Sequence, residues 1–505
     1  MISLYDRLRR PNPSCSTENR CEPFGWLCLA VGSLLFLGIS AWYRRDLVRC
    51  VNWPPMWIGI TAGVVFLVTL GLLFYGWLVL AGLRGCSRPA PLRRVMLIGL
   101  GLHVSMLLVP PALSDDPLAY AAIGRAMSAY GRDASEELGK SLPKEDPYRQ
   151  LIEVYPRWLA YGSAYGPGFN WLAKGAARTG GDNVQLTLRL FQALCLVSLA
   201  AAALVTAQAA REAAESSSRD ESAARAAALV FLSPMALLEG TANAHNDSFL
   251  AVGMALFVLA AVRRRPIWAI AALCGAVAIK TIALLPLLFY LIHLCRSWIL
   301  PSWRPKGASL IWMLSGVALV CTILFFWVAM PILQDHLGTT ALLLGSKNAP
   351  YPMCTRSLEC IPRALLHFVM GMPQASWYLG LLFRAASGVL LLYCAIRAQV
   401  GLSALGWMGG FLFLHLLVLQ GWSQPWYTLL LLPLLQFAPR AFLPAMLMFC
   451  VSGPAHYALD FPLDCERRQW LFGLSEFVEF LMTAMPPSWL LWKQHKAGQL
   501  AAQQA

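Results

Sequence analysis

Charge is what this chain has least of: of 505 residues, 13% are Asp, Glu, Lys or Arg, against 58% hydrophobic. A soluble domain of ordinary composition carries about a quarter charged residues, so a soluble globular protein is excluded. Acids are scarcer than bases, 26 against 40, for a formal charge of +14. The bases sit mostly in short segments between apolar runs, where they mark topology, and they make no case for nucleic acid. Familiar catalytic signatures are missing too. There is no Gly-rich phosphate loop after a strand, no G-x-S-x-G, no H-E-x-x-H and no soluble stretch large enough for a nucleotide site. ATP and nucleotide sugars are therefore not expected as substrates.

What is abundant is apolar run. Segments 23–43, 56–83 and 309–330 are each long enough to cross a bilayer core, which takes about 20 helical residues. Residues 1–22 are too polar to open a cleaved signal peptide, so the first run is read as the first span. Basic clusters at Arg7, Arg9 and Arg10, at Arg84 to Arg94, at Arg263 to Arg265, at Arg296 to Lys306, and at Lys493 and Lys496 place those segments in the cytoplasm. Arg44, Arg45 and Arg49 do not fit, and the arginines between 211 and 225 are mixed with acids. The expectation is one all-α polytopic domain over 1–505, with about fourteen membrane segments (roughly 12–14). The N-terminus 1–22 and the tail 493–505 are cytoplasmic, and 111–183 and 331–363 form large outer loops.

Most of the fourteen cysteines lie in apolar runs, where a thiol behaves as a small hydrophobe. Cys354 and Cys360 flank a polar segment and are the plausible disulfide, given an oxidising compartment. The spacings do not match a zinc site. Segment 267–295 lies between two cytoplasmic clusters yet is too short for two full spans. Two half-length helices meeting near Lys280 would fit, as a re-entrant pair; a single tilted helix with Lys280 snorkelling is the alternative.

Polar residues collect at the outer ends of these runs, and ionisable groups at membrane depth usually mark a site. Asp115 and Asp116 open the first outer loop, with Arg125 following on an expected helix. "AYGPGF" (164–169) is a Pro-Gly turn among aromatics, which suit a sugar ring and equally suit an ordinary turn. "LLEGTANAHNDSF" (237–249) gathers Glu239, Asn243, His245, Asn246 and Asp247 between two apolar runs. An N-cap explains one of them, Asn246 or Asp247, but not five. "GWSQPWYTLL" (421–430) sets Gln424, Trp426 and Tyr427 at the lip of a run, where an aromatic belt is the bland reading. A transporter or flippase of lipid-linked sugars would need a midplane site, often with internal repeats, and no convincing repeat is present.

An outward-facing membrane enzyme needs an activated donor delivered within the bilayer, and a lipid-linked phosphate serves. Transfer of a sugar from it to a hydroxyl requires a carboxylate base and donors for the leaving phosphate. Asp116 or Asp115 supplies the first, and Lys280, Arg125 and His245 the second. The two aspartates could instead share a divalent cation, but no other ligand set is obvious, so no metal or other cofactor is expected.

In order along the chain, "SDDPLAYAAIGRAMSAYG", "DPY" (146–148), "YGP", "EGTANAHND", a Lys in a broken apolar stretch and "QPWY" resemble the multi-spanning GT-C glycosyltransferases. The likeness is greatest to the polyprenyl-phosphate-mannose-dependent α-(1→6)-mannopyranosyltransferase group of bacterial envelopes. That resemblance implies inverting transfer of a hexose, by default mannose, to an envelope glycan or glycolipid. The active site would face the outer side of the bacterial cytoplasmic membrane. It makes Asp116 the likelier base, and it carries over Tyr120, Gly124, Arg125, Tyr148, Tyr165, the 239–247 cluster, Lys280 and 424–427 as site residues. Arg132 to Glu145 is an insertion relative to the pattern, and Leu118 replaces a frequent aromatic. A transporter, or a ligase or polymerase using diphosphate-linked donors, remains the alternative.

Overall fold

The computed structural model describes residues 18–47, 56–84, 88–111, 113–153, 156–160, 162–299, 357–398, 401–420, 423–458 and 478–503. The expected run at 309–330, most of the 331–363 loop and Cys354 lie outside them. Cys360 is disulfide-bonded, and no free cysteine among the described residues is its partner.

Every regular element among the described residues is helical. The helices are α1 (Glu18–Leu47), α2 (Met56–Leu80), α3 (Leu92–Met106), α4 (Asp116–Ala129), α5 (Leu138–Ser141), α6 (Pro147–Ile152), α7 (Pro167–Gly180), α8 (Val184–Ala213) and α9 (Arg219–Phe231). They continue as α10 (Asp247–Val262), α11 (Pro266–Ile279), α12 (Leu284–Ile299), α13 (Cys360–Ala364), α14 (Pro373–Arg397), α15 (Leu402–Leu414), α16 (Leu443–Ser452) and α17 (Met485–Gln503). In hydrocarbon a backbone amide has no water to bond, so an apolar run satisfies its polar groups as helix.

Among the described residues, five helices are long and apolar enough to cross a membrane: Cys21–Ala41, Ile60–Leu80, Val184–Ala213, Gln374–Arg397 and Leu402–Leu419. Their outward faces are as apolar as their buried ones. Leu34, Val64, Val197, Leu382 and Val389 are each more than half exposed, whereas Phe36, Phe66 and Leu199 are sealed inside. In water such faces would be a liability; against lipid tails they are the expected boundary. These five do not by themselves give the expected total of about fourteen segments: the run at 309–330 lies outside the described residues, and several other expected crossings are short or interrupted. α3 has 15 residues, and α10, α11, α12 and α16 are shorter apolar helices.

Two interruptions lie beside the candidate site. α9 passes into a wide π-helical turn, Ala236–Ala242, with a bend of 56° between Ser216–Phe231 and that turn. α11 stops at Lys280, whose backbone is extended (φ −156°, ψ 134°), before a 3-10 turn and α12. The expected break at Lys280 is therefore present. Breaks of this kind are stable in a membrane only inside protein or beside a cavity.

The segment between α3 and α8 is itself folded. α4 to α7 enclose a small core of Tyr120, Leu138, Tyr148, Ile152 and Phe169, closed by Leu188 and Phe191 from α8. α4 lies against α7 so closely that a β-carbon on Gly124 would strike the carbonyl of Ala173.

Candidate active site

Asp116 begins α4. The Ser114 hydroxyl accepts its backbone N–H at 3.3 Å, and Pro117 suits the first turn, where no N–H is needed. Successive helical residues point about 100° apart, and here that separates the two aspartates. Asp115 turns to Trp158, whose indole N–H donates to it at 3.0 Å; Asp116, 8% exposed, turns inward. Tyr120, one turn on, shares its face. Its hydroxyl lies 3.4 Å from Asp116 Oδ2, His245 Nδ1 and Asn246 Oδ1 alike.

The wide turn supplies the next groups. Asn243 Nδ2 donates to Glu239 Oε2 at 3.1 Å, and Asn243 Oδ1 accepts the N–H of Leu113 at 3.2 Å, tying the turn to the segment before Asp115. The following residue, Ala244, has φ +53°, a left-handed conformation that costs a non-glycine residue about 1–2 kcal/mol. It is held by flanking backbone bonds, Asn243 N–H to the Leu238 carbonyl (2.9 Å) and His245 N–H to the Glu239 carbonyl (3.0 Å). His245 then lies between two carboxylates, Nδ1 3.7 Å from Asp116 Oδ2 and Nε2 3.4 Å from Glu239 Oε2. Its ring stacks on Trp426 at 3.8 Å and 15°.

Asn246 occupies the N-cap position of α10 but makes no capping bond with its side chain. The capping explanation therefore does not account for it. Its Oδ1 instead faces Tyr120 and, at 3.4 Å, Lys280 Nζ. Lys280 also donates to Asp247 Oδ2 at 2.6 Å, and its ammonium lies 4.4 Å from the Tyr427 ring centroid and 5.8 Å from that of Tyr165. The "YGPG" turn seats Tyr165 there: Gly166 N–H donates to the Ile279 carbonyl at 2.9 Å, and a β-carbon on Gly166 would strike the Ala278 carbonyl. Gln424 is buried just before the 3-10 turn that carries Trp426 and Tyr427, and its carbonyl accepts the Tyr427 N–H at 3.1 Å.

Asp116, Glu239, His245, Asn246, Asp247 and Lys280 thus meet at one buried locus, with Tyr120, Tyr165, Trp426 and Tyr427 around it. Lys280 brings a permanent cation to this locus, paired with Asp247. No set of three or more His, Cys, Asp or Glu side chains among the described residues is arranged to hold a metal ion.

Arg125 and Tyr148 are not brought there. Nine residues beyond Asp116, Arg125 points to Asp146 (2.8 Å), Asp182 (2.5 Å) and the Gly181 carbonyl (3.3 Å). The Tyr148 hydroxyl bonds the Gly181 carbonyl at 2.9 Å and Thr187 Oγ1 at 2.7 Å. Tyr130 donates to the same Asp146 at 2.8 Å, a bond that raises its pKa. Together these groups clamp the segment that carries α4 and α6 to the start of α8. In the insertion, Asp133 accepts from the N–H and hydroxyl of Ser135, which lowers its pKa.

Sequence reading passed over several supporting groups. Gln192 Nε2 donates to the carbonyls of Val109 (3.0 Å) and Ala242 (2.8 Å). His103 bonds Thr241 Oγ1 (2.6 Å) and the Phe231 carbonyl (2.8 Å), and Tyr457 donates to Glu239 Oε2 (3.4 Å). Each is a lone polar residue in an apolar run, a weak signal that tells of burial with a partner but not of which partner.

No curated protein and no solved structure matches the chain. A family model described as Alpha-(1->6)-mannopyranosyltransferase, N-terminal domain, matches residues 23–296, the stretch that carries Asp116, the 239–247 turn and Lys280. Since that match covers more than half of the sequence, the chain belongs to the α-(1→6)-mannopyranosyltransferase family and is a membrane glycosyltransferase of the mannosyltransferase kind.

Proposed function

We propose that this protein is a GT-C-type enzyme that moves a hexose, by default mannose, from a polyprenyl-phosphate donor to a hydroxyl of an envelope glycan or glycolipid. The site faces the outer side of a bacterial cytoplasmic membrane, with both termini inside. The observation that supports it most directly is the meeting of Asp116 with Lys280 at one locus, through Tyr120 and Asn246. Asp116 takes the proton of the acceptor hydroxyl as its oxygen attacks the anomeric carbon. Lys280 stabilises the phosphate as it gains charge, and the half-buried faces of Tyr165 and Tyr427 beside it hold the sugar. A single displacement with one base inverts the anomeric centre.

Purified protein in nanodiscs, supplied with radiolabelled polyprenyl-phosphate-mannose and glycan acceptors, tests this. Label should move to the acceptor, and Asp116→Asn should reduce the rate by at least about a hundredfold. Transfer that survives this substitution removes Asp116 as base. Movement of the labelled lipid across the membrane without transfer overturns the enzymatic reading.

A further inference from the structure

Asp115 holds the N-cap position of α4, where an aspartate ordinarily caps, yet its side chain makes no capping bond. The carboxylate is used elsewhere: it accepts the indole N–H of Trp158 at 3.0 Å, and both side chains are half-buried. Trp158 stands on the 3-10 turn Pro156–Ala160, and the charged insertion holds that turn in place. A β-carbon on Gly139 would lie 2.8 Å from the Leu159 carbonyl, and one on Gly162 would strike the Ser135 carbonyl. Ser163 N–H donates to the Ala134 carbonyl at 2.6 Å, and Arg149 braces the insertion from its other end by donating to the Gly139 carbonyl at 2.6 Å. The Ser163 hydroxyl in turn accepts the N–H of Tyr165 at 3.2 Å, and Tyr165 stands beside Lys280. The chain that rests on the insertion therefore carries Trp158 to Asp115 at one end and Tyr165 to Lys280 at the other.

Given glycosyl transfer with Asp116 as base, the reading on which this rests, we infer that Asp115 and Trp158 form the acceptor subsite. It takes an uncharged sugar residue, and the insertion 132–145 sets its selectivity by fixing where Trp158 stands. An inverting displacement needs the acceptor oxygen on the face of the anomeric carbon opposite the phosphate, so donor and acceptor approach the base from different flanks. Lys280, Tyr165 and Tyr427 serve the donor. Asp115, about 100° from Asp116 around α4, turns to a different flank and meets Trp158 there. An indole and a carboxylate suit a sugar, because the C–H face of the ring packs on the aromatic and the hydroxyls donate to the oxygens. The indole N–H bond also fixes the ring relative to the base. An acceptor unit carrying phosphate or carboxylate would instead meet two adjacent aspartates and be repelled. Asp115 and Trp158 are thus binding residues, and Gly139, which seats the turn against the insertion, is a positioning residue.

The test is transfer in nanodiscs from polyprenyl-phosphate-mannose to octyl mannoside, and to octyl mannoside phosphorylated at a non-accepting hydroxyl. The parent should prefer the uncharged acceptor by at least about tenfold in kcat/KM, and Asp115→Asn should narrow that preference at least about threefold. Trp158→Ala should raise the acceptor KM about tenfold with kcat and the donor KM within roughly threefold, and Trp158→Phe, which keeps an aromatic face, should recover much of the loss. Gly139→Ala, which pushes the turn off the insertion, should raise the acceptor KM about threefold or more with the donor KM unchanged. Equal use of the two acceptors by the parent, or a parent-like acceptor KM in Trp158→Ala, overturns the subsite; with Asp116→Asn inactive, the base stays in place. Donor KM rising as much as acceptor KM in both Trp158 variants marks a merely structural role and also overturns it. A parent-like acceptor KM in Gly139→Ala removes the insertion from the account. An active Asp116→Asn, or a parent that transfers to neither acceptor, overturns the underlying reading and the subsite with it.

Discussion

Lys280 and Asp247 form an ion pair whose side chains are 9% and 0% exposed. Lys280→Met leaves a buried carboxylate without its cation, expected to cost about 3–5 kcal/mol and to appear as a lower Tm in detergent. Adding Asp247→Leu to it should recover much of that loss while activity stays absent, since the proposed phosphate partner is still gone. The two adjacent aspartates should separate just as clearly. Asp115→Asn leaves Trp158 an acceptor and should reduce transfer by less than about tenfold, against at least about a hundredfold for Asp116→Asn. The sequence showed that two carboxylates stand at the lip of an apolar run, and family likeness favoured the second. Their divergence, one to an indole 43 residues away and one into the locus, depends on the helix phase and on what packs against each side.

Among the elements, the Pro-Gly turn before α7 and the end of α11 matter most, because their contact brings Tyr165 to Lys280. Gly166→Ala is expected to cost about 1–3 kcal/mol by overpacking and to raise the donor KM, because Tyr165 and Lys280 are pushed apart. Arg125→Met tests a different contact. It leaves Asp146 buried, so it should lower thermal stability while the donor KM stays within roughly twofold, since Arg125 binds the start of α8 and not the locus. The break at Lys280 was the favoured sequence reading, from an apolar run between basic clusters too short for two full spans, with one tilted helix as the alternative. The place of Arg125 was not. An arginine on the same helix as the proposed base looks like a phosphate ligand until its distance along the axis, about 1.5 Å per residue over nine residues, and its acidic neighbours are known.

For the molecule as a whole, α8 offers the test of which face is which. Its 30 residues span about 45 Å, more than a bilayer core, so it is long enough to set Asn183 and Glu215 on opposite sides. With the outer segment outside, a cysteine at exposed Glu145 should react with an impermeant maleimide in intact cells, and one at exposed Glu215 only after permeabilisation. The reverse pattern would turn the site toward the cytoplasm and with it the proposed donor. Low charge, long apolar runs and basic punctuation determined by themselves that the chain is a helical membrane protein, because a backbone in lipid has few ways to satisfy itself. They also marked most of the residues that gather at the locus, since an ionisable group at that depth is too costly to be incidental. Only the tertiary structure decided which of these residues meet. Asp116, Glu239, His245, Lys280 and Trp426 come from segments spread over more than 300 positions, and their meeting depends on a wide turn, a broken helix and small residues that let backbones touch.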